Sequence, residues 1–190
     1  MLVNLKAIVS RVDSNRLLEL SRDNPEAKFE TDKEGHLIVM SPTGSNSGRR
    51  NTKLIFQVEL WNVKNNLGVT FDSSTGFILS NGAIRSPDVT WIVTERWNEL
   101  TKEQQDKFAP IDPDFVIELR SPTDNLVELR QKMEEYISCG VKLGWLIDPE
   151  ERQVEIYRSE KGKEVLNNPQ SLSGENVLPG LILDLTEIFC

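Results

Sequence analysis

The segment from residue 114 to residue 147 constrains the fold more than any other part of the chain. It opens with DFVIEL (114–119) and closes with LGWLI (143–147), two short runs dense in strand-forming residues. Between them Leu126, Leu129, Met133, Tyr136 and Ile137 fall at spacings that gather on one side of a helix. Ser121-Pro122-Thr123-Asp124 offers the start of that helix, over 125–138, and Gly140 stops it. Strand, helix and strand in this order form a crossover unit, normally right-handed and with its strands parallel.

The rest of the chain builds on that unit. A short helix is expected over 15–21, ending before Asn24-Pro25, then a hairpin over 28–40 with its turn at Asp32-Lys33-Glu34-Gly35. Residues 41–48 read as a loop. Leu54, Val58 and Trp61 mark a helix over 51–64. Strands are expected at 69–72, 77–80 and 88–93, with Asn81-Gly82 turning between the last two. Short polar helices follow over 95–108, with Trp97 and Leu100 turned inward, and strands return at 153–158 and in the LILDL of the tail. The fold class is α/β, a mixed central β-sheet flanked by helices, and the length fits one domain over 1–190.

Two carboxylates sit on this frame at strand ends. Asp88 follows Pro87 and opens the strand DVTWIV. Glu118 lies near the end of DFVIEL, where a period of two puts Phe115, Ile117 and Leu119 on one face and Asp114, Val116, Glu118 and Arg120 on the other. A carboxylate in so apolar a strand needs a partner or a metal ion. An ion pair of Glu118 with Arg120 or with a lysine is one reading. Lys132, at the edge of the helix stripe, supplies the other, because it can reach back over the sheet toward Glu118. Two acids and a lysine converging at strand ends suit metal-assisted phosphodiester hydrolysis: carboxylates hold Mg²⁺ through oxygen, and a lysine orients water or stabilises developing negative charge.

The ordered set of Asp88 after Pro87, FVIELRSPTD, KMEEY and GWLIDP resembles the Uma2 family, also called DUF820. KFETDKEGHLIVMSPTG, FDSSTGFILSNGAIRSPDVTWI and SLSGENVLPGLILDLTEIF extend the resemblance over nearly the whole chain. That family is much expanded in cyanobacteria and is grouped with the PD-(D/E)XK, restriction endonuclease-like fold. The resemblance implies an endonuclease using Mg²⁺ or Mn²⁺ on DNA, with a homodimer among the assemblies it allows. It carries Asp88 and Glu118 over as the acidic pair and Glu30 as an early acid that helps to hold metal. Arg120 stands where the ExK pattern has lysine, and an arginine stays protonated, so it can support charge but not act as a base. Lys132-x-x-x-Tyr136 resembles the helical QxxxY element of RecB-like nucleases, which makes Lys132 the expected replacement, with Arg120 in support.

Other features narrow the function classes. The net charge of −8 runs against the basic footprint usual in nucleic-acid binders, though a site that holds cations must itself be acidic. Together with Arg120, it keeps a second reading open: a catalytically inactive nuclease fold serving as a nucleic-acid-binding or regulatory module. His36 is the only histidine, which argues against zinc and HNH-type sites and, with no base for Ser121 or Ser138, against a serine triad. SPTGSNSGRRN lacks a P-loop ending, and Arg49 and Arg50 read either as phosphate contacts or as a solvated helix end. The acids at 134–135 and 150–151 read as solvated faces, and Cys139 and Cys190 as free thiols. No apolar run is long enough to span a bilayer, and MLVNLKAIVSRVDSNR lacks the pattern of a signal peptide, so a cytoplasmic location is expected.

Overall fold

The computed structural model describes residues 11–40 and 42–190; most of the N-terminal stretch read for a targeting signal, and Ser41 of the loop, lie outside it. Helix α1 (Ser14–Asp23) precedes a hairpin of β1 (Lys28–Thr31) and β2 (Leu37–Met40), and the long helix α2 (Ser45–Asn65) follows. Then come β3 (Gly68–Asp72), β4 (Phe77–Ile78), β5 (Ile84–Arg85) and β6 (Val89–Val93), and the short helices α3 (Thr94–Asn98) and α4 (Lys102–Gln105). The second half holds β7 (Phe115–Leu119), α5 (Leu126–Ser138), β8 (Leu143–Asp148) and β9 (Gln153–Arg158). It ends with β10 (Gly162–Asn167), β11 (Ser171–Ser173) and β12 (Ile182–Asp184).

Six strands form the main sheet in the order β10-β9-β8-β7-β6-β3. β7 and β8 pair in parallel across the α5 crossover, as the sequence requires, and the other neighbours are antiparallel. The sheet is therefore mixed, with helices on both faces. Phe115, Ile117 and Leu119 of β7 join Leu54, Val58 and Trp61 of α2 and the apolar residues of the tail in one core. Val116, on the opposite face, joins Met133 and Tyr136 of α5 in a second. A smaller sheet, β2-β1-β5-β4, is sealed by α1 through Leu17, Leu20, Phe29 and Ile84.

Local chemistry sets the crossover helix. The Asn125 side chain accepts from the Val127 N–H to cap α5, and Gly140 takes a left-handed φ of 103° just past its end. Elsewhere the structure differs from the sequence reading. α2 begins at Ser45, within the stretch read as a loop, because Ser47 is buried and Arg49 and Arg50 reach the Cys190 carbonyl. These tertiary contacts override the weak helix preference of Ser, Asn and Gly. The Asn81-Gly82 turn joins β4 to the two-residue β5, not directly to β6. β10 and β11 were without a signal: β10 is an edge strand exposed along nearly its whole length, so no buried face imposes alternation.

At Gly68 the backbone passes close against the Trp91 ring. A Cβ there would lie within the Trp91 ring and against the Ile92 carbonyl, while Asn62 accepts from both the Gly68 N–H (3.1 Å) and the Trp91 indole N–H (2.9 Å). Gly68→Ala is expected to cost about 1–3 kcal/mol through overpacking, read as a lower urea midpoint at unchanged m-value.

Candidate active site

Strand register assembles the site. β6 and β7 pair Val89 with Ile117; one step further along the same register sets Asp88 opposite Glu118, on the face that α5 covers. β1 and β5 pair Thr31 with Ile84, and the next step sets Glu30 opposite Arg85. From above, Lys132 and Tyr136 of α5, one turn apart, reach down to these two cross-strand pairs.

The Lys132 ammonium joins them. Its Nζ lies 2.9 Å from Glu30 Oε1 and 2.9 Å from Glu118 Oε1. Tyr136 donates its hydroxyl to the same Glu118 oxygen at 2.8 Å. Glu30 also accepts the Ser86 N–H on Oε1 (2.9 Å) and Arg85 Nη1 on Oε2 (3.1 Å). Arg85 is held in turn, its Nε donating to Glu135 Oε2 at 2.6 Å, and Asn81 donates to the other Glu135 oxygen. Asp88 accepts from Asn51 of α2 on Oδ1 and from the Leu119 N–H on Oδ2, both at 2.8 Å.

Three carboxylates (Glu30, Glu118, Glu135) thus share two cations (Lys132, Arg85), and Asp88 beside them is paired with neither. Burial would raise Glu30, but the charges of Lys132 and Arg85 and the Ser86 N–H hold its carboxyl below the usual range. Glu118 has no Arg85. Burial lifts it to about 7; Lys132 pulls it down, while Asp88 and Glu30 push it up. Burial also raises Asp88, against the pull of the Leu119 N–H, Lys132 and Asn51. Lys132 loses solvation too, yet Glu118 and Glu30 raise it above an ordinary lysine, so it stays an ammonium. Tyr136, raised by burial and by the same glutamates, keeps its proton and donates.

The donor set suits a hard divalent cation in part. Both hydrogen bonds to Glu118 fall on Oε1, which leaves Oε2 without a partner among the described residues. Asn51 Oδ1, beside Asp88, is buried and also without a hydrogen bond. All are oxygen donors of the kind Mg²⁺ and Mn²⁺ take. Glu30 differs: its two oxygens meet two cations, Lys132 and Arg85, whereas the two bonded oxygens of Asp88 meet only neutral donors. Glu30, Asp88 and Glu118 do not bring one oxygen each within 4.8 Å of one another; among the described residues only Asp32, Glu34 and His36 do so, on the hairpin turn. There His36 Nδ1 already meets Asp32 Oδ2 at 2.7 Å, the pairing of a hairpin histidine.

Of the residues singled out from sequence, Glu30, Asp88, Glu118 and Lys132 come together and Arg120 does not join them. Arg120 sits beside Asp148 in the parallel register and pairs with it at 2.6 Å. Arg49 and Arg50 turn to the Cys190 carbonyl. Cys139 is buried and Cys190 exposed, both as free thiols. Glu135 corrects the reading of residues 134–135 as a solvated face: its side chain is 14% exposed and grips Arg85. Asn51, Arg85 and Glu135 had no sequence signal, since each meets its partner only through a neighbouring element.

The Uma2 family, described as "Putative restriction endonuclease", matches residues 14–186. The fold is similar to that of a solved structure from Anabaena variabilis, described as a "putative nuclease belonging to DUF820". The two share a TM-score of 0.73 and 21% identity, covering 90% of this chain and 96% of that one. No curated protein matches the sequence. The likeness establishes a restriction endonuclease-like fold.

Because Glu118 titrates near 7 in the folded chain and near its ordinary 4.5 when unfolded, its ionisation opposes folding as pH rises between those values. Glu118→Gln is therefore expected to stabilise the metal-free protein at pH 8 by roughly 1–3 kcal/mol and to change little at pH 4.5. Urea unfolding at the two pH values checks this; equal effects at both would contradict it.

Proposed function

The chain belongs to the Uma2 family, and on that premise we propose that it is an endonuclease that hydrolyses phosphodiester bonds of DNA with Mg²⁺ or Mn²⁺. The observation that carries this reading is the Lys132 ammonium 2.9 Å from Glu118, with Asp88 next to Glu118 in the sheet register. Asp88 and Glu118 would hold the cation, through oxygens that Asn51, the Leu119 N–H and Tyr136 orient. Bound there, a divalent cation supplies Lewis-acid stabilisation of phosphate charge and makes a water more acidic.

The residues of the chain do the rest. Tyr136 fixes one oxygen of Glu118 and so aims the other. Lys132, kept protonated by the acids around it, offers an ammonium to negative charge that develops on the scissile phosphate. It also meets the chemical need left by Arg120, whose guanidinium is committed to Asp148. A homodimer would be compatible with this reading but is not required by it.

A second reading, an inactive nuclease fold that binds nucleic acid or regulates, draws support from the net charge of −8 and from the full engagement of Glu30. Plasmid nicking in Mg²⁺ and Mn²⁺ separates the two. The active reading expects nicking that chelator abolishes, and a loss of about 10²-fold or more in Asp88→Asn and in Lys132→Met. A wild-type protein that takes up Mn²⁺ without nicking DNA or RNA supports the inactive reading. Failure to bind Mn²⁺ or Mg²⁺ by calorimetry removes the metal-dependent one.

A further inference from the structure

Glu135, Arg85, Glu30 and Lys132 form a chain of alternating charge that begins and ends on one helix. Glu135 and Lys132 are three residues apart on α5, while Arg85 comes from β5 and Glu30 from β1. The links are 2.6 Å from Arg85 to Glu135, 3.1 Å from Arg85 to Glu30, and 2.9 Å from Lys132 to Glu30. Every member is mostly withdrawn from solvent, with side-chain exposure between 2% and 14%. Charge pairs so placed are strongly coupled, and loss of one member leaves the next uncompensated.

The two glutamates that share Lys132 are not equivalent. Glu30 receives donors on both oxygens: Lys132 and the Ser86 N–H on one, Arg85 on the other. Glu118 receives both of its donors on Oε1. Positive charge held by Asp88 and Glu118 would oppose the ammonium that now sits 2.9 Å from Glu118. Lys132 can leave Glu118 without losing its remaining partner only if Glu30 stays where it is; strand register and the Ser86 N–H place the Glu30 carboxylate, and the Arg85 guanidinium, gripped by Glu135, holds its other oxygen.

We infer that Glu30 is the seat of Lys132 and not a metal ligand, and that Arg85, held by Glu135, is the positioning residue that keeps the seat in place. This rests on the nuclease reading for its catalytic consequence, though not for its structural content. Were a cation held at Asp88 and Glu118, Lys132 would give up its bridge between two glutamates and keep its pairing with Glu30. Arg85 touches neither cation nor substrate and acts through Glu30.

Mn²⁺ titration by calorimetry of the wild type, Glu30→Gln and Asp88→Asn tests the assignment. Glu30→Gln is expected to keep its affinity within about threefold, while Asp88→Asn loses about tenfold or more. An equal loss in both would make Glu30 a ligand and overturn the inference. A second readout needs no activity: amine acylation of Lys132, followed by mass spectrometry of the intact fold. In the wild type Mn²⁺ leaves Lys132 protected; in Glu30→Gln it exposes the lysine and labelling rises about tenfold. Labelling that rises with Mn²⁺ equally in both proteins would overturn the seat. In chelator, Arg85→Ala labels Lys132 faster than the wild type, and Arg85→Lys restores part of the protection; no change in Arg85→Ala would remove Arg85 from the assignment. If the wild type fails to bind Mn²⁺, the nuclease reading fails while this chelator arm still decides the seat. Where DNA is cut, Arg85→Ala lowers kcat about tenfold or more at unchanged KM, with partial rescue by Arg85→Lys.

Discussion

The ammonium of Lys132 between Glu30 and Glu118 is the contact on which the arrangement of this molecule turns. Three units meet at it: the small sheet through Glu30, the main sheet through Glu118, and the crossover helix that carries the lysine itself. Unpaired, either glutamate would carry a desolvation penalty of several kcal/mol. The lysine offsets part of that penalty for both, and with the apolar packing of Phe77, Leu79 and Ala83 it ties the hairpin sheet to the main one. α5 is held to the same place twice, by Lys132 and by Glu135 through Arg85.

The compensation is unequal, and the inequality has chemical content. Glu30 has two cations and stays comfortably ionised; Glu118 has one, shared, with Asp88 beside it, and is pushed up to about 7. Carboxylates that resist ionisation in the metal-free protein would welcome a divalent cation, and such a site is stabilised less by the fold than by its ligand.

Arg120 shows how one position can be read two ways. In the strand pattern it shares a face with Glu118, and the ExK resemblance makes it conspicuous. In the folded chain the strand ends at Leu119, and Arg120 turns to Asp148 on the adjoining parallel strand. Lys132 covers the same acid from above, and its place at the edge of an apolar stripe was visible in the spacing of α5.

The sequence alone determined the β7-α5-β8 crossover, the two faces of β7 and the placing of Asp88 and Glu118 at strand ends. Each follows from local periodicity, which burial on one or both faces imposes on any chain. It also carried Glu30, though only through the family resemblance. Tertiary structure decided the rest. It extended α2 back to Ser45 through contacts with the Cys190 carbonyl, made a strand of Ile84 and Arg85, and turned Glu135 from an apparent surface acid into the grip on Arg85. A two-residue strand has no period to read, and an ion pair between residues fifty positions apart leaves no trace in either neighbourhood. Register between strands, which no single segment encodes, is what set Glu30 against Arg85 and Asp88 against Glu118.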